Sequence, residues 1–257
     1  MMLLPDKKDA LHKAWLLRTL EAVADDVFLS QTLYFKGGTC ASLLGWLPRF
    51  SVDLDFDYAG DEKDKASIEK TRRSLEKVFV TVGLSIKDRS KRGIQYFLKY
   101  PPPHFGARNT LKIDVSFPIF KSSKYEPLRF TEIDRMLICQ TRDTMFAHKL
   151  VTPLDRFEKT GQIAGRDFFD IRHFFLSGYA YCPSVIQERR GVSVLQFLRE
   201  LSAFTEKQLT EKIIGEDLSA LLPLAEFTRV RKVLKREVLN ILQDEIQRVK
   251  NNHQYVF

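Results

Sequence analysis

The segment Ser51-Val52-Asp53-Leu54-Asp55-Phe56-Asp57-Tyr58 alternates strictly between acidic and largely apolar side chains from Val52 onward. A period of two is that of a β-strand, so Val52, Leu54, Phe56 and Tyr58 share one face and Asp53, Asp55 and Asp57 the other. Aspartate is depleted in strands, and carboxylates roughly 7 Å apart repel unless a positive charge lies between them. Two explanations fit. A solvent-facing edge strand would hydrate the charges and use them against aggregation. A binding strand would use Asp53 and Asp55 to hold a divalent ion, since hard carboxylate oxygens suit Mg²⁺ or Mn²⁺ and residues i and i+2 reach one ion or two adjacent ones. Asp57, farther along the face, is auxiliary in that reading.

Upstream, the apolar stretch from Thr32 to Phe35 leads into Lys36-Gly37-Gly38-Thr39. Residues Cys40 to Trp46 read as a helix opened by Thr39 as N-cap and ended by Pro48. Two glycines remove side chains where backbone must approach a ligand, and free N–H groups at a helix start point at phosphate oxygens. Thr39 would add a hydroxyl and Lys36 a positive charge. Most Gly-Gly pairs are only turns, and this one is neither a Walker A loop nor a dinucleotide fingerprint. Its position some fifteen residues before the carboxylates gives it meaning.

Farther out, residues 6–25 read as a helix with Leu11, Trp15, Leu20 and Val23 at roughly helical spacing, and residues 61–82 as a charged helix presenting Ile68, Leu75 and Phe79. Strands are expected at 84–87 and 94–100, joined by the turn Ser90-Lys91-Arg92-Gly93. After the stiff Pro101-Pro102-Pro103, a third strand spans Thr110 to Phe117, with Leu111, Ile113 and Val115 on one face and Lys112, Asp114 and Ser116 on the other. If it lies beside the aspartate strand, Asp114 brings a third carboxylate, as metal ligand or as base; otherwise this is a solvated polar face. From about Thr141 onward the pattern is helical, with segment changes at Pro153, Gly161 to Gly165, Pro183, Gly191 and Pro223. A domain boundary near residue 140 divides the chain into 1–140 and 141–257.

The formal charge of +8 and pI near 9.3 favour polyanionic partners such as nucleotides or RNA, although a merely basic surface reads the same way. Cys40, Cys139 and Cys182 are widely spaced, odd in number and form no Cys-x-x-Cys pair, so neither a disulfide framework nor a zinc site is suggested. No apolar run approaches the ~20 residues needed to span a bilayer, and the N-terminus turns charged at once, so a cytoplasmic protein without membrane attachment is expected.

Lys36-Gly37-Gly38-Thr39 followed by Arg49-Phe50-Ser51-Val52-Asp53-Leu54-Asp55-Phe56 resembles the AbiEii/AbiGii nucleotidyltransferase toxins of the DNA polymerase β-like superfamily. Ala147-His148-Lys149-Leu150, Arg156 and Arg166-Asp167-Phe168-Phe169-Asp170-Ile171 resemble the same group's second block, with Cys40 replacing a usual alanine. The resemblance spans about Leu33 to Phe175 and implies an α+β fold: a nucleotidyltransferase-like mixed β-sheet flanked by helices, then a mainly helical region (141–257) completing the active-site cleft. It implies transfer of a nucleoside monophosphate from a nucleoside triphosphate to an acceptor, commonly RNA such as tRNA, by the toxin of a toxin–antitoxin or phage-abortive-infection pair, with a cognate antitoxin as the expected partner in the former. Asp53 and Asp55 would be metal ligands, with Asp114 alongside. Gly38 and Thr39 would contact phosphate, Lys149 would meet the nucleotide phosphates, Asp170 would be a polar residue of the second block, and Arg49 would orient the carboxylates.

On residues alone, Asp167 and Asp170 lie one helical turn apart and are equally ordinary complements of a helix dipole. His148 and His173 are expected to be structural or exposed. A C-terminal helix over 224–249 carries Phe227, Leu234, Val238, Ile241 and Ile246 on one side, either to pack on the catalytic domain or to leave a basic face for RNA or antitoxin. Nucleotidylation of a protein or small molecule, a nuclease, and a non-catalytic nucleotide- or RNA-binding module are the alternatives.

Overall fold

The computed structural model describes residues 2, 4, 6–91, 93–101 and 108–254, with backbone only for the last three. Arg92 of the expected turn and Pro102-Pro103 of the expected stiff connection lie outside the described residues. Two compact units form: Met1–Ile119 with Lys124–Thr141, and Phe120–Ser123 with Arg142–Phe257.

The first unit contains α1 (Ala10–Asp25), α2 (Val27–Thr32), β1 (Leu33–Lys36), α3 (Gly37–Leu43), β2 (Asp53–Tyr58), α4 (Lys65–Val82), β3 (Ser85–Arg89), β4 (Ile94–Lys99), β5 (Thr110–Ser116), β6 (Tyr125–Phe130) and β7 (Arg135–Gln140). Its seven strands form one mixed sheet in the order β3-β4-β5-β2-β1-β7-β6. The aspartate strand β2 is therefore central, which overturns the edge-strand explanation. β2 runs antiparallel to β1 and parallel to β5. The alternation decides which way β2 faces: Leu54 and Phe56 are fully buried, and their lateral neighbours Phe35, Ile113 and Val115 join them in the core. Phe79 of α4 packs edge-on against Tyr96 of β4, with ring centroids 5.1 Å apart, and so helps to cover this face.

Local detail departs from the sequence reading in four places. The buried stripe of α1 is His12, Lys13, Leu16, Thr19, Leu20 and Val23, not one through Leu11 and Trp15. Helix α4 starts at Lys65, capped by the Asp64 carboxylate on the amides of Ala66 and Ser67. Helix α3 begins at Gly37, so Thr39 lies inside its first turn and does not cap it. The β6–β7 hairpin was not expected; its Pro127 is tolerated because β6 is an edge.

The second unit is helical: α5 (Arg142–Thr160), α6 (Gly165–Leu176), α7 (Pro183–Arg190), α8 (Val194–Gln208), α9 (Glu211–Leu218) and α10 (Leu224–Gln254). Pro153 does not end a segment. Helix α5 runs through it, at the loss of the N–H that would bond the Lys149 carbonyl. The long α10 buries Val230, Leu234, Val238, Leu242 and Ile246, and packs on α6, α8 and α9 of its own unit. No helix among the described residues is long and apolar enough to cross a membrane.

Candidate active site

The register of the sheet aligns four polar residues in one row across four strands. Lys36 on β1 lies opposite Asp55 on β2, Asp55 opposite Asp114 on β5, and Asp114 opposite Gln95 on β4. The adjacent row sets Asp53 opposite Lys112. Directly opposed residues point to the same face, so Asp53, Asp55 and Asp114 share a face with both lysines. Asp55 feels the crowding. Burial and the negative charge of Asp53 push its carboxyl up to about 6, Asp114 adds to the rise, and Lys36 and Lys112 oppose it. A carboxylate held this high by its neighbours is a site where an added cation is stabilising.

Not every predicted group is available to a ligand. Lys36 Nζ donates to Asp57 Oδ1 at 2.5 Å, and Asp57 Oδ2 accepts from Tyr125 Oη and Gln140 Nε2, each at 2.7 Å. Asp57 is buried and internally neutralised, so it is structural and does not extend the carboxylate site. Asp114 Oδ2 accepts from Lys112 Nζ at 2.7 Å and from Gln95 Nε2 at 3.1 Å. Burial pulls the Lys112 ammonium down, but its bond to Asp114 and the surrounding carboxylates outweigh that and raise it. Among the described residues no group of three or more His, Cys, Asp or Glu is arranged to hold a metal ion by itself. Mg²⁺ at a phosphate site commonly takes only one or two carboxylates and completes its shell with water and substrate oxygens. The Asp53–Asp55 pair, hard and electron-rich, fits that donor set.

The glycine loop has reasons inside the protein. Gly37 has φ +80°, and a Cβ there would lie 2.4 Å from Asp55 Oδ2, so glycine is what lets the carboxylate approach the backbone. A Cβ on Gly38 would lie 2.8 Å from Ser51 Oγ and 3.0 Å from Arg49 Nη2. Arg49 is buried, and its Nη1 donates to the Phe50 carbonyl at 3.0 Å. Thr39 is fully buried and its hydroxyl donates to the main-chain oxygen of Asp53. That corrects its expected role: this hydroxyl ties α3 to the start of β2 and is not offered to phosphate.

His12 was missed. It is buried on α1, its Nε2 donates to the Val52 carbonyl at 2.8 Å, and its Nδ1 lies 2.7 Å from Tyr100 Oη. Burial holds the imidazole down to about 4, opposed by the Val52 bond, so it is neutral at pH 7 and anchors the residue before Asp53. A single histidine beside Leu11 carries no sequence signal for that task.

In the helical unit, Lys149 Nζ donates to Asp170 Oδ2 at 2.5 Å, and Arg156 grips both oxygens of Asp167 at 2.8 and 3.3 Å. Asp167 and Asp170 do share a face of α6; both are buried and pair with α5 cations, and Asp167 also lies in the first turn of α6, where it complements the helix dipole. His148 is engaged by Ser123 and Arg189.

Residues 18–223 match the family described as nucleotidyl transferase AbiEii toxin, type IV TA system. A candidate nucleotidyltransferase from H. pylori superposes with a TM-score of 0.57 at 16% identity, over 96% of this chain and 98% of that one. JHP933 from Helicobacter pylori gives 0.50 at 18% identity, over 96% and 99%. At such identities the likeness is one of fold, and no curated protein matches the chain. With the family match covering most of its length, the chain belongs to the AbiEii nucleotidyl transferase toxins and is a nucleotidyltransferase.

Proposed function

We propose that this toxin transfers a nucleoside monophosphate from a nucleoside triphosphate to RNA, with tRNA as the acceptor, in a reaction that depends on Mg²⁺ or Mn²⁺. The observation that carries the reading is the lateral register of Asp53 and Asp55 with Lys112 and Asp114, together with the approach of Asp55 Oδ2 to the Gly37 backbone. Asp53 and Asp55 hold the divalent ion. When bound, that ion neutralises charge developing on the triphosphate and lowers the pKa of the attacking hydroxyl. The amides at the start of α3 orient phosphate oxygens, and Arg49 keeps the carboxylates aligned from beneath the loop. Asp114 accepts the proton of the acceptor hydroxyl.

Lys149 reaches the nucleotide phosphates, with Asp170 fixing its ammonium; only one of its three donors is needed for that ion pair. The acceptor class is supported by the basic composition, +8 overall, which suits a polyanion. The type IV toxin–antitoxin family supports an antitoxin that counters this activity in the cytoplasm.

Incubation with each of four α-³²P nucleoside triphosphates, Mg²⁺ and total RNA tests the proposal. Label entering RNA of tRNA size, abolished by EDTA, is expected. Label entering only protein or a small molecule would replace the RNA acceptor while keeping the chemistry. Nucleotide affinity that is independent of metal, without transfer, would leave a binding module.

A further inference from the structure

Lys112 belongs to no motif that led to the site, yet it stands inside it. It lies two residues before Asp114 on β5 and opposite Asp53 on β2, so its side chain rises between the carboxylates of two strands. Its Nζ is 2.7 Å from Asp114 Oδ2, and the two side chains are 27% and 29% exposed, open enough for the contact to exchange with solvent. Asp114 Oδ2 is also bonded by Gln95, which leaves that oxygen doubly occupied. Lysine is a compact charge on a flexible stem, able to leave its partner without disturbing the backbone. An ammonium and a divalent cation compete for the same carboxylate oxygen, because each needs its lone pairs and negative charge.

Resting on the reading of Asp53 and Asp55 as the metal-binding pair, we propose that Lys112 is a resident counter-cation of the third carboxylate. It holds Asp114 back from the divalent ion and yields it only when the ammonium is drawn away. The triphosphate is the natural agent, being the most negative group the site receives. Asp114 then joins the reaction when substrate is present, while Lys112 is transferred to phosphate oxygens. No bond is made or broken in this exchange beyond hydrogen bonds and ion pairing. Lys112 is a positioning residue acting through Asp114.

Calorimetric titration of the nucleotide-free protein with MnCl₂ tests this without any turnover. Lys112→Met should bind Mn²⁺ about tenfold more tightly than the wild type, the scale of removing one like charge at a partly exposed site. Lys112→Arg, which keeps the charge, should match the wild type, and Lys112→Met/Asp114→Asn should lose the gain. Lys112→Gln serves if the methionine variant does not give a folded circular dichroism spectrum. Unchanged or weaker Mn²⁺ binding in the neutral variants overturns the proposal, as does a gain that persists without Asp114. Asp53→Asn/Asp55→Asn separates this from the underlying reading: if that variant binds Mn²⁺ like the wild type, the metal pair has been misassigned, whatever Lys112 does.

Discussion

The two units handle charge in opposite ways. In the sheet unit, Asp53, Asp55, Asp57 and Asp114 share a face with Lys36 and Lys112, and Asp55 is pushed up to about 6 by burial and by its acidic neighbours. In the helical unit four acids each pair with a cation of another helix: Asp170 with Lys149, Asp167 with Arg156, Asp217 with Arg166 and Glu237 with Arg172. The helical pairs fix helices before any ligand arrives, whereas in the sheet unit Lys36 and Lys112 bond Asp57 and Asp114 and the carboxyl of Asp55 stays raised. The same residue type, aspartate at regular spacing, thus does two jobs, and the local balance of cations tells them apart.

The sharpest break would come from exchanging carboxylates for amides in each unit. Asp53→Asn or Asp55→Asn should lower nucleotidyl transfer by about a thousandfold or more, as expected for the loss of a metal ligand worth several kcal/mol. For Asp55→Asn the melting temperature should hold or rise, because removing a repelled carboxylate relieves about 1–2 kcal/mol. Asp170→Asn should do the reverse to stability. It leaves the Lys149 ammonium without its partner and should cost about 3 kcal/mol in denaturant titration. A stable Asp170→Asn protein would show that the helical unit is not prepaired as described.

A second contrast lies in pH. Because the folded state raises the carboxyl of Asp55 from its ordinary 3.8 to about 6, Mn²⁺ affinity should fall by up to tenfold per unit as pH drops below about 6. The same shift means that Asp55 opposes folding increasingly as pH climbs from about 4 to 6. His12 acts in the other direction. Its imidazole, held at about 4 against an ordinary 6.5, contributes stability that is present above 6.5 and lost as pH falls toward 4. The His12→Asn protein should show a flatter stability profile between those limits, and Asp55→Asn should lose the acid limb of metal binding.

Smaller effects belong to the loop. Gly37→Ala, at φ +80° with its Cβ directed into Asp55 Oδ2, should cost about 1–2 kcal/mol and displace the carboxylate, so that transfer falls more than stability does. Thr39→Val, which removes the bond to the Asp53 carbonyl, should cost about 1 kcal/mol by thermal denaturation.

Much of this was legible in the sequence where period and residue type agreed. The alternation of 51–58 marks β2 and its two faces, and the polar stripe of 110–117 anticipates that Asp114 could join Asp53 and Asp55 if the strands were neighbours. What stayed hidden depends on contacts distant in the chain. Asp57 looks equivalent to Asp55 until Tyr125 and Gln140 arrive from β6 and β7, 68 and 83 residues later, to hydrogen-bond the carboxylate that Lys36 neutralises. Those strands themselves are obscured by Pro127 and by charged residues at Glu126 and Arg129, which an edge tolerates. Thr39 has the chemistry of a cap and of a phosphate ligand, and only the packing of α3 on β2 turns its hydroxyl to a main-chain oxygen. Pro153 signals a break that the packing of α5 overrides.

The most direct test of the carboxylate site is a transfer assay on the Asp55→Asn protein beside the wild type, with α-³²P nucleoside triphosphates, Mg²⁺ and total RNA, after circular dichroism establishes that both are folded. Wild-type protein should label RNA and the variant should not rise above a no-enzyme blank. Labelling by the folded variant at a rate near that of the wild type would contradict the assignment of the β2 aspartates as the centre of the reaction.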